Sequence, residues 1–156
     1  MLTCSYQTNG VMTVLYSKIL VAYDGSEASD KALDTAIKLA KLNHYSKLDI
    51  IHVFNIPTYV VGEVMFVPPI KNEEEYYGYS DQAVAKIQEK INDFSDIHIE
   101  VRQGSPARTI LAYAEETNAD VIVIGSRGLG SFGEFVLGSV SHNVVQHAKI
   151  PVLVIK

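Results

Sequence analysis

The feature that most constrains this chain is a rhythm. Short, unbroken apolar runs alternate with longer stretches whose apolar residues recur at helical spacing. The runs are residues 18–23 (KILVAY), 48–54 (LDIIHVF), 121–124 (VIVI) and 152–155 (VLVI). Each is short and rich in β-branched residues, which predicts a strand covered on both faces. Residues 97–101 (IHIEV) instead alternate apolar with polar, the pattern of a half-exposed strand at a sheet edge.

Four helices are predicted between the strands. The first spans 26–43, with Ala28, Ala32, Ala36, Leu39 and Ala40 on one face and Ser26 as its N-cap. The second spans 81–94 and repeats Val84, Ile87 and Ile91. The third, 105–117, opens Ser105-Pro106, a cap followed by proline at the first helical position. The fourth, 140–148, ends ahead of Pro151. Strict β-α alternation of this kind builds an open parallel sheet with helices on both faces, an α/β fold. Right-handed crossovers leave few ways to wind it.

Two segments break the rhythm. Residues 1–17 read as a polar N-terminal tail that carries the single cysteine, Cys4, and Met12 is an alternative start. Residues 55–80 hold three prolines and then an acidic, tyrosine-rich patch around Glu73–Tyr79 (EEEYYGY), which reads as a long loop. The domain expected to carry function is therefore 18–156. A net charge of −5 and a pI near 5.5 argue against a nucleic-acid surface. No apolar run approaches the roughly 18–20 residues that cross a bilayer, and no signal-peptide pattern is visible.

In an open parallel sheet, ligands bind beyond the carboxyl ends of the strands, where the strand order reverses. The residues that follow the strands are thus the informative ones. Asp24-Gly25-Ser26 follow the first, Asn55 the second and Gln103-Gly104-Ser105 the third. After the fourth comes GSRGLGSFG at 125–133, followed by Gly138-Ser139 at a helix start. Glycines let backbone amides approach a ligand, and successive amides at a helix N-terminus form an anion nest. Ser126, Ser131 and Ser139 add hydroxyl donors and Arg127 a full charge, so this is phosphate-holding chemistry.

Other chemistries fit less well. Gly128, Gly130 and Gly133 match G-x-G-x-x-G, but no acidic residue follows at the roughly 20-residue distance a dinucleotide site needs. The Walker lysine and the G-x-S-x-G nucleophile elbow are both missing. The five histidines lack zinc spacing with cysteine. Ser131 and His142 are the only candidates for a nucleophile or general base near a phosphate, and neither has an evident orienting partner.

The spacing Gly125-x2-Gly128-x9-Gly138-Ser139, with KILVAYDGSE, IIHVF, VIVIGSRG, LGSVSHNVV and PVLVIK around it, resembles the nucleotide-binding motif of the universal stress protein family. The resemblance runs from about Lys18 to Lys156. It implies a five-stranded sheet in the order 3-2-1-4-5, Rossmann-like in architecture, and an ATP-binding, cytoplasmic stress-response switch or sensor. By position, Asp24 would hold the ribose hydroxyls, and Ala22 and Val53 would meet adenine, Val53 through its backbone. Gly125, Gly128, Gly138, Ser139 and Val140 would hold the phosphates, and Arg127 is inferred to join them. Mg2+ or Mn2+ would arrive with the phosphates. The resemblance also implies a homodimer through the last strand, at Val152, Leu153 and Val154. The competing role for Asp24 is to cap the first helix. The competing functions are a slow ATPase or nucleotide transferase of the same fold, or a dimeric interaction module with a vestigial pocket.

Overall fold

The structure is a computed structural model that describes residues 7–8, 11–12, 16–43, 45–55, 59–61, 64–66, 73–91, 96–128 and 137–156. Five strands form the central sheet: β1 (Lys18–Tyr23), β2 (Lys47–Phe54), β3 (Ile97–Gln103), β4 (Val121–Gly125) and β5 (Val152–Ile155). The helices between them are α1 (Glu27–Lys41), α2 (Glu73–Lys90), α3 (Pro106–Thr117) and α4 (Ser139–His147). The strands lie in the order β3-β2-β1-β4-β5, and every pairing is parallel. This is the 3-2-1-4-5 sheet expected from the resemblance, with the alternating strand at an edge as its pattern indicated.

Each strand sends alternate residues to opposite faces, so the sheet has two cores. One packs Ile19, Val21, Tyr23, Ile50 and Val123 under Leu33 of α1 and Ile87 of α2. The other packs Leu20, Ala22, Ile51, Ile122 and Ile124 under Ile110 and Tyr113 of α3 and Val144 of α4. The buried stripe of α1 is mostly small, with Ser29, Ala32, Ala36 and Ala40, which lets its axis lie close to the sheet. On edge strand β3, Arg102 pairs with Glu100 at 2.8 Å and with Glu116 of α3 at 2.8 Å. Its guanidinium also lies 4.5 Å from the centre of the Tyr113 ring. These contacts place charge along the sheet edge and hold α3 beside it.

The structure corrects the reading of 55–80 as a loop. Tyr59–Val61 pairs antiparallel with Val64–Phe66, and α2 begins at Glu73 rather than at 81. Three glutamates favour the positive end of a helix, and one internal glycine, Gly78, lowers stability by only about 1 kcal/mol. The tail likewise contains a short antiparallel pair, Gln7–Thr8 with Val11–Met12. Cys4 lies outside the described residues. Smaller differences concern ends: β3 runs on to Gln103, and α2 stops at Lys90.

At the amino ends of the strands, one carboxylate ties β1 to β4. Asp120 Oδ2 accepts from the Ser17 amide at 2.8 Å, the Ser17 hydroxyl at 2.6 Å and the Lys18 amide at 2.9 Å. The Ser17 hydroxyl bond, followed by these amides and the nearby Lys18 charge, holds the carboxyl below its ordinary range. A depressed carboxyl stabilises the fold above its unfolded pKa, and the contribution is lost as pH falls through the lower folded value. Asp120→Ala is therefore expected to lower unfolding free energy by about 1 kcal/mol at neutral pH. The gap to wild type should narrow in acid, and a pH-independent gap in denaturant titrations would refute the assignment.

Candidate functional site

The chain leaves β1 toward α1 and β2 but leaves β4 toward α4 and β5. The connections part there and open a crevice between the two strand ends. It is a cavity of about 330 Å3, within the range of small-molecule sites. All nine residues singled out in the sequence, Ala22, Asp24, Val53, Gly125, Arg127, Gly128, Gly138, Ser139 and Val140, line it.

One wall is apolar. Ala22 contributes a small side chain, and both Ile51 and Ile124 lie in register with it on the flanking strands. Val53 is two residues beyond Ile51 on the same face, and α3 adds Pro106 and Ile110. The result is a slot of methyl and methylene groups beside the polar side.

Asp24 opens the polar side. The next residue, Gly25, has φ +82°, a left-handed conformation in which any side chain would be strained. Asp24 Oδ1 accepts from the Ser26 amide at 3.0 Å. Its Oδ2 lies over Gly128, where a Cβ atom would come within 2.5 Å of it. Asp24 does not itself cap α1. Ser26 does so, its Oγ accepting from the Ser29 amide at 3.2 Å. The same hydroxyl lies 3.3 Å from the Arg127 carbonyl, which fastens the start of α1 to the loop after β4.

The loop after β4 is held by backbone bonds. The Ser126 amide donates to the Ile155 carbonyl of β5 at 2.6 Å, and the Gly138 amide returns to the Ser126 carbonyl at 2.8 Å. The buried Ser141 hydroxyl lies 2.8 Å from that carbonyl and 3.0 Å from the Gly138 carbonyl. Gly138 is the N-cap of α4 and has no side chain to accept from the first-turn amides. The amides of Ser139 and Val140 have no acceptor within the helix, and both residues line the cavity. They are donors available to an anion, reinforced by the positive end of the helix.

Gly125 and Gly128 differ in what surrounds them. A Cβ at Gly125 would meet the Ala28 carbonyl carbon at 2.8 Å, the Ala28 Cβ at 2.9 Å and the Ser29 amide nitrogen at 2.9 Å. Gly125 is thus demanded by the close approach of α1. At Gly128, among the described residues, only the rotatable end of Asp24 stands in the way. Ser131 lies outside the described residues, as do Gly130 and Gly133. His142 is exposed on α4 and does not line the cavity.

Sequence reasoning passed over Ile51, Pro106, Ile110, Ile124 and Ser141 as site residues. The strand register could have found Ile51 and Ile124, since both pair with Ala22. Pro106 and Ile110 needed the position of α3, which no local pattern supplies. Tyr23 also borders the cavity, but its phenol points into the opposite core and donates to Asp30 Oδ1 at 2.7 Å. Burial and then that carboxylate push the phenol far above its usual pKa, so it remains a donor.

Known proteins share this fold. Residues 15–156 match the universal stress protein family. Universal stress protein YxiE of Bacillus subtilis is 38% identical over 152 residues, covering 91% of this chain and all of that protein. Among solved structures, the universal stress protein UspA from Lactobacillus plantarum superposes with a TM-score of 0.75 at 27% identity. That match covers 90% of this chain and 98% of the other. A universal stress protein in complex with cAMP superposes with a TM-score of 0.62 at 26% identity, over 90% of this chain and 97% of that one.

Proposed function

The chain belongs to the universal stress protein family, and from that membership we propose that it binds ATP in the cavity between β1 and β4 and acts as a nucleotide-dependent stress-response switch. The observation that carries this reading is the division of one cavity into an apolar slot, a carboxylate and a set of helix-start amides. An adenine nucleotide has the same three parts in the same order. A family member in complex with cAMP adds support from outside this chain.

In this reading the base occupies the slot formed by Ala22, Ile51, Val53 and Ile110. Asp24, through the oxygen not held by Ser26, accepts from the ribose hydroxyls. The amides of Ser139 and Val140, the backbone at Gly128 and Gly138, and the Arg127 guanidinium receive the phosphates. Among the described residues no three His, Cys, Asp or Glu side chains converge. A divalent ion, Mg2+ or Mn2+, would therefore be held chiefly by the phosphates themselves. Gly125 enters indirectly, by letting α1 approach. Binding would change the surface around the loop after β4 and α4, which adjoins β5. Leu153 on that edge strand is 37% exposed, and a second copy pairing along β5 would cover it.

The test is direct. The purified protein is denatured and filtered, and any released small molecule is identified by mass. ATP is the expected product. ADP or AMP alone would favour the hydrolase reading, and an empty protein that also fails to bind added ATP with magnesium would overturn the proposal.

A further inference from the structure

We propose that His52 is a positioning residue of this site: through its bond to the Tyr23 carbonyl, it sets the distance between the carboxylate of Asp24 and the apolar slot at Val53. The proposal rests on the nucleotide reading above and names the side chain that makes the site selective for a nucleoside.

The ladder of β1 with β4 stops at Ala22, paired with Ile124, and the ladder with β2 stops one residue later, at Tyr23 beside His52. The chain then leaves the sheet through Asp24 and the left-handed Gly25. At this exit the Tyr23 carbonyl is met by His52 Nδ1 at 2.9 Å. His52 is 7% exposed, so this is a buried imidazole against a backbone acceptor. A carbonyl only accepts, so Nδ1 carries the proton.

The Tyr23 carbonyl and the Asp24 amide belong to one planar peptide unit. Holding that oxygen orients the plane from which the Asp24 side chain departs. The Asp24 bond to the Ser26 amide cannot do this, because it closes the turn on itself and does not tie it to the sheet. Tyr23 is also held at its far end by Asp30, so the residue before Asp24 is fixed through both its phenol and its carbonyl.

Val53 follows His52 directly, and successive residues of a strand face opposite ways. His52 therefore points into the core with α1 and reaches the Tyr23 carbonyl, while Val53 points into the cavity. One stretch of β2 thus carries the apolar wall and holds the turn that bears the carboxylate. A ligand that bridges base and ribose reads this spacing, whereas a bare polyphosphate does not.

The experiment compares His52→Asn with His52→Gln. An asparagine amide nitrogen lies where Nδ1 lies, while glutamine places its nitrogen near the Nε2 position. Two quantities are read in each full-length variant: amide exchange at Ser26, which reports whether Asp24 Oδ1 still accepts, and the affinity for ATP relative to inorganic tripolyphosphate. Loss of the side-chain bond to the Tyr23 carbonyl is expected to weaken ATP binding by about tenfold in His52→Gln, with tripolyphosphate affinity within about twofold of wild type. Ser26 exchange should accelerate in the same variant. His52→Asn should retain most of both properties. Asp24→Ala sets the scale for complete loss of the ribose contact. If the two His52 variants behave alike, or if ATP and tripolyphosphate weaken together, the positioning role is refuted. If the wild-type protein binds no ATP, the nucleotide reading fails by itself, and Ser26 exchange alone decides whether His52 holds the turn.

Discussion

Gly125→Val is expected to lower unfolding free energy by about 3 kcal/mol, read as a large drop in the denaturant midpoint. The reason is the identity of the atoms a side chain would strike. Two of the three nearest belong to the backbone of α1, and the third is the Ala28 Cβ, which moves only with that backbone. The helix cannot retreat locally, because Ser29, Ala32, Ala36 and Ala40 seat it along its length. Backing α1 away would open the core that contains Leu33 and Val123. An unchanged midpoint would show that the loop after β4 yields instead, and that Gly125 is not a packing glycine.

Gly128→Val is expected to do the reverse. The added carbon meets the Asp24 carboxylate, which rotates away at little expense to the fold. Its midpoint should stay within about 0.5 kcal/mol of wild type, as for a change outside the core. ATP affinity should fall about 100-fold, equivalent to nearly 3 kcal/mol, because the carboxylate is displaced and the backbone approach is blocked. Equal ATP binding by variant and wild type, measured calorimetrically with magnesium, would remove Gly128 and its partner Asp24 from the site. The two variants together separate a glycine that serves packing from one that serves a ligand, three positions apart in one motif.

That distinction marks where sequence reading ends. The strands were legible because continuous β-branched runs mean burial on both faces, and IHIEV announced its edge position by alternation. Asp24, Gly125, Arg127, Gly128, Gly138 and Ser139 were legible as cavity-lining residues because the crevice of a doubly wound sheet lies beyond its strand ends, whereas Ala22, Val53 and Val140 came from the family resemblance. The glycines could be located but not sorted, since what a Cβ would strike depends on α1, some hundred residues earlier in the chain. The region between 55 and 80 was misread because prolines and a glycine outweighed two signals. One was the pair of apolar triplets YVV and VMF separated by Gly62-Glu63, which suits a two-residue hairpin. The other was the run of three glutamates at a helix start. Asn9-Gly10 between Gln7–Thr8 and Val11–Met12 is the same kind of signal. His52 was visible only as a histidine in a buried run, and its partner required the register of β1 on β2.

The bond from Ser126 to Ile155 also has a bearing on biosynthesis. The loop beyond β4 is suspended from β5, which comes after every other element that builds the cavity. On the ribosome, a nascent chain that has already extruded its first four strands still lacks the hanger for that loop. On the proposed reading, a nucleotide would therefore add its stabilisation to the finished sheet and not to a chain that still lacks β5. A ligand of this cavity would meet the completed pocket only after β5 has emerged and paired with β4.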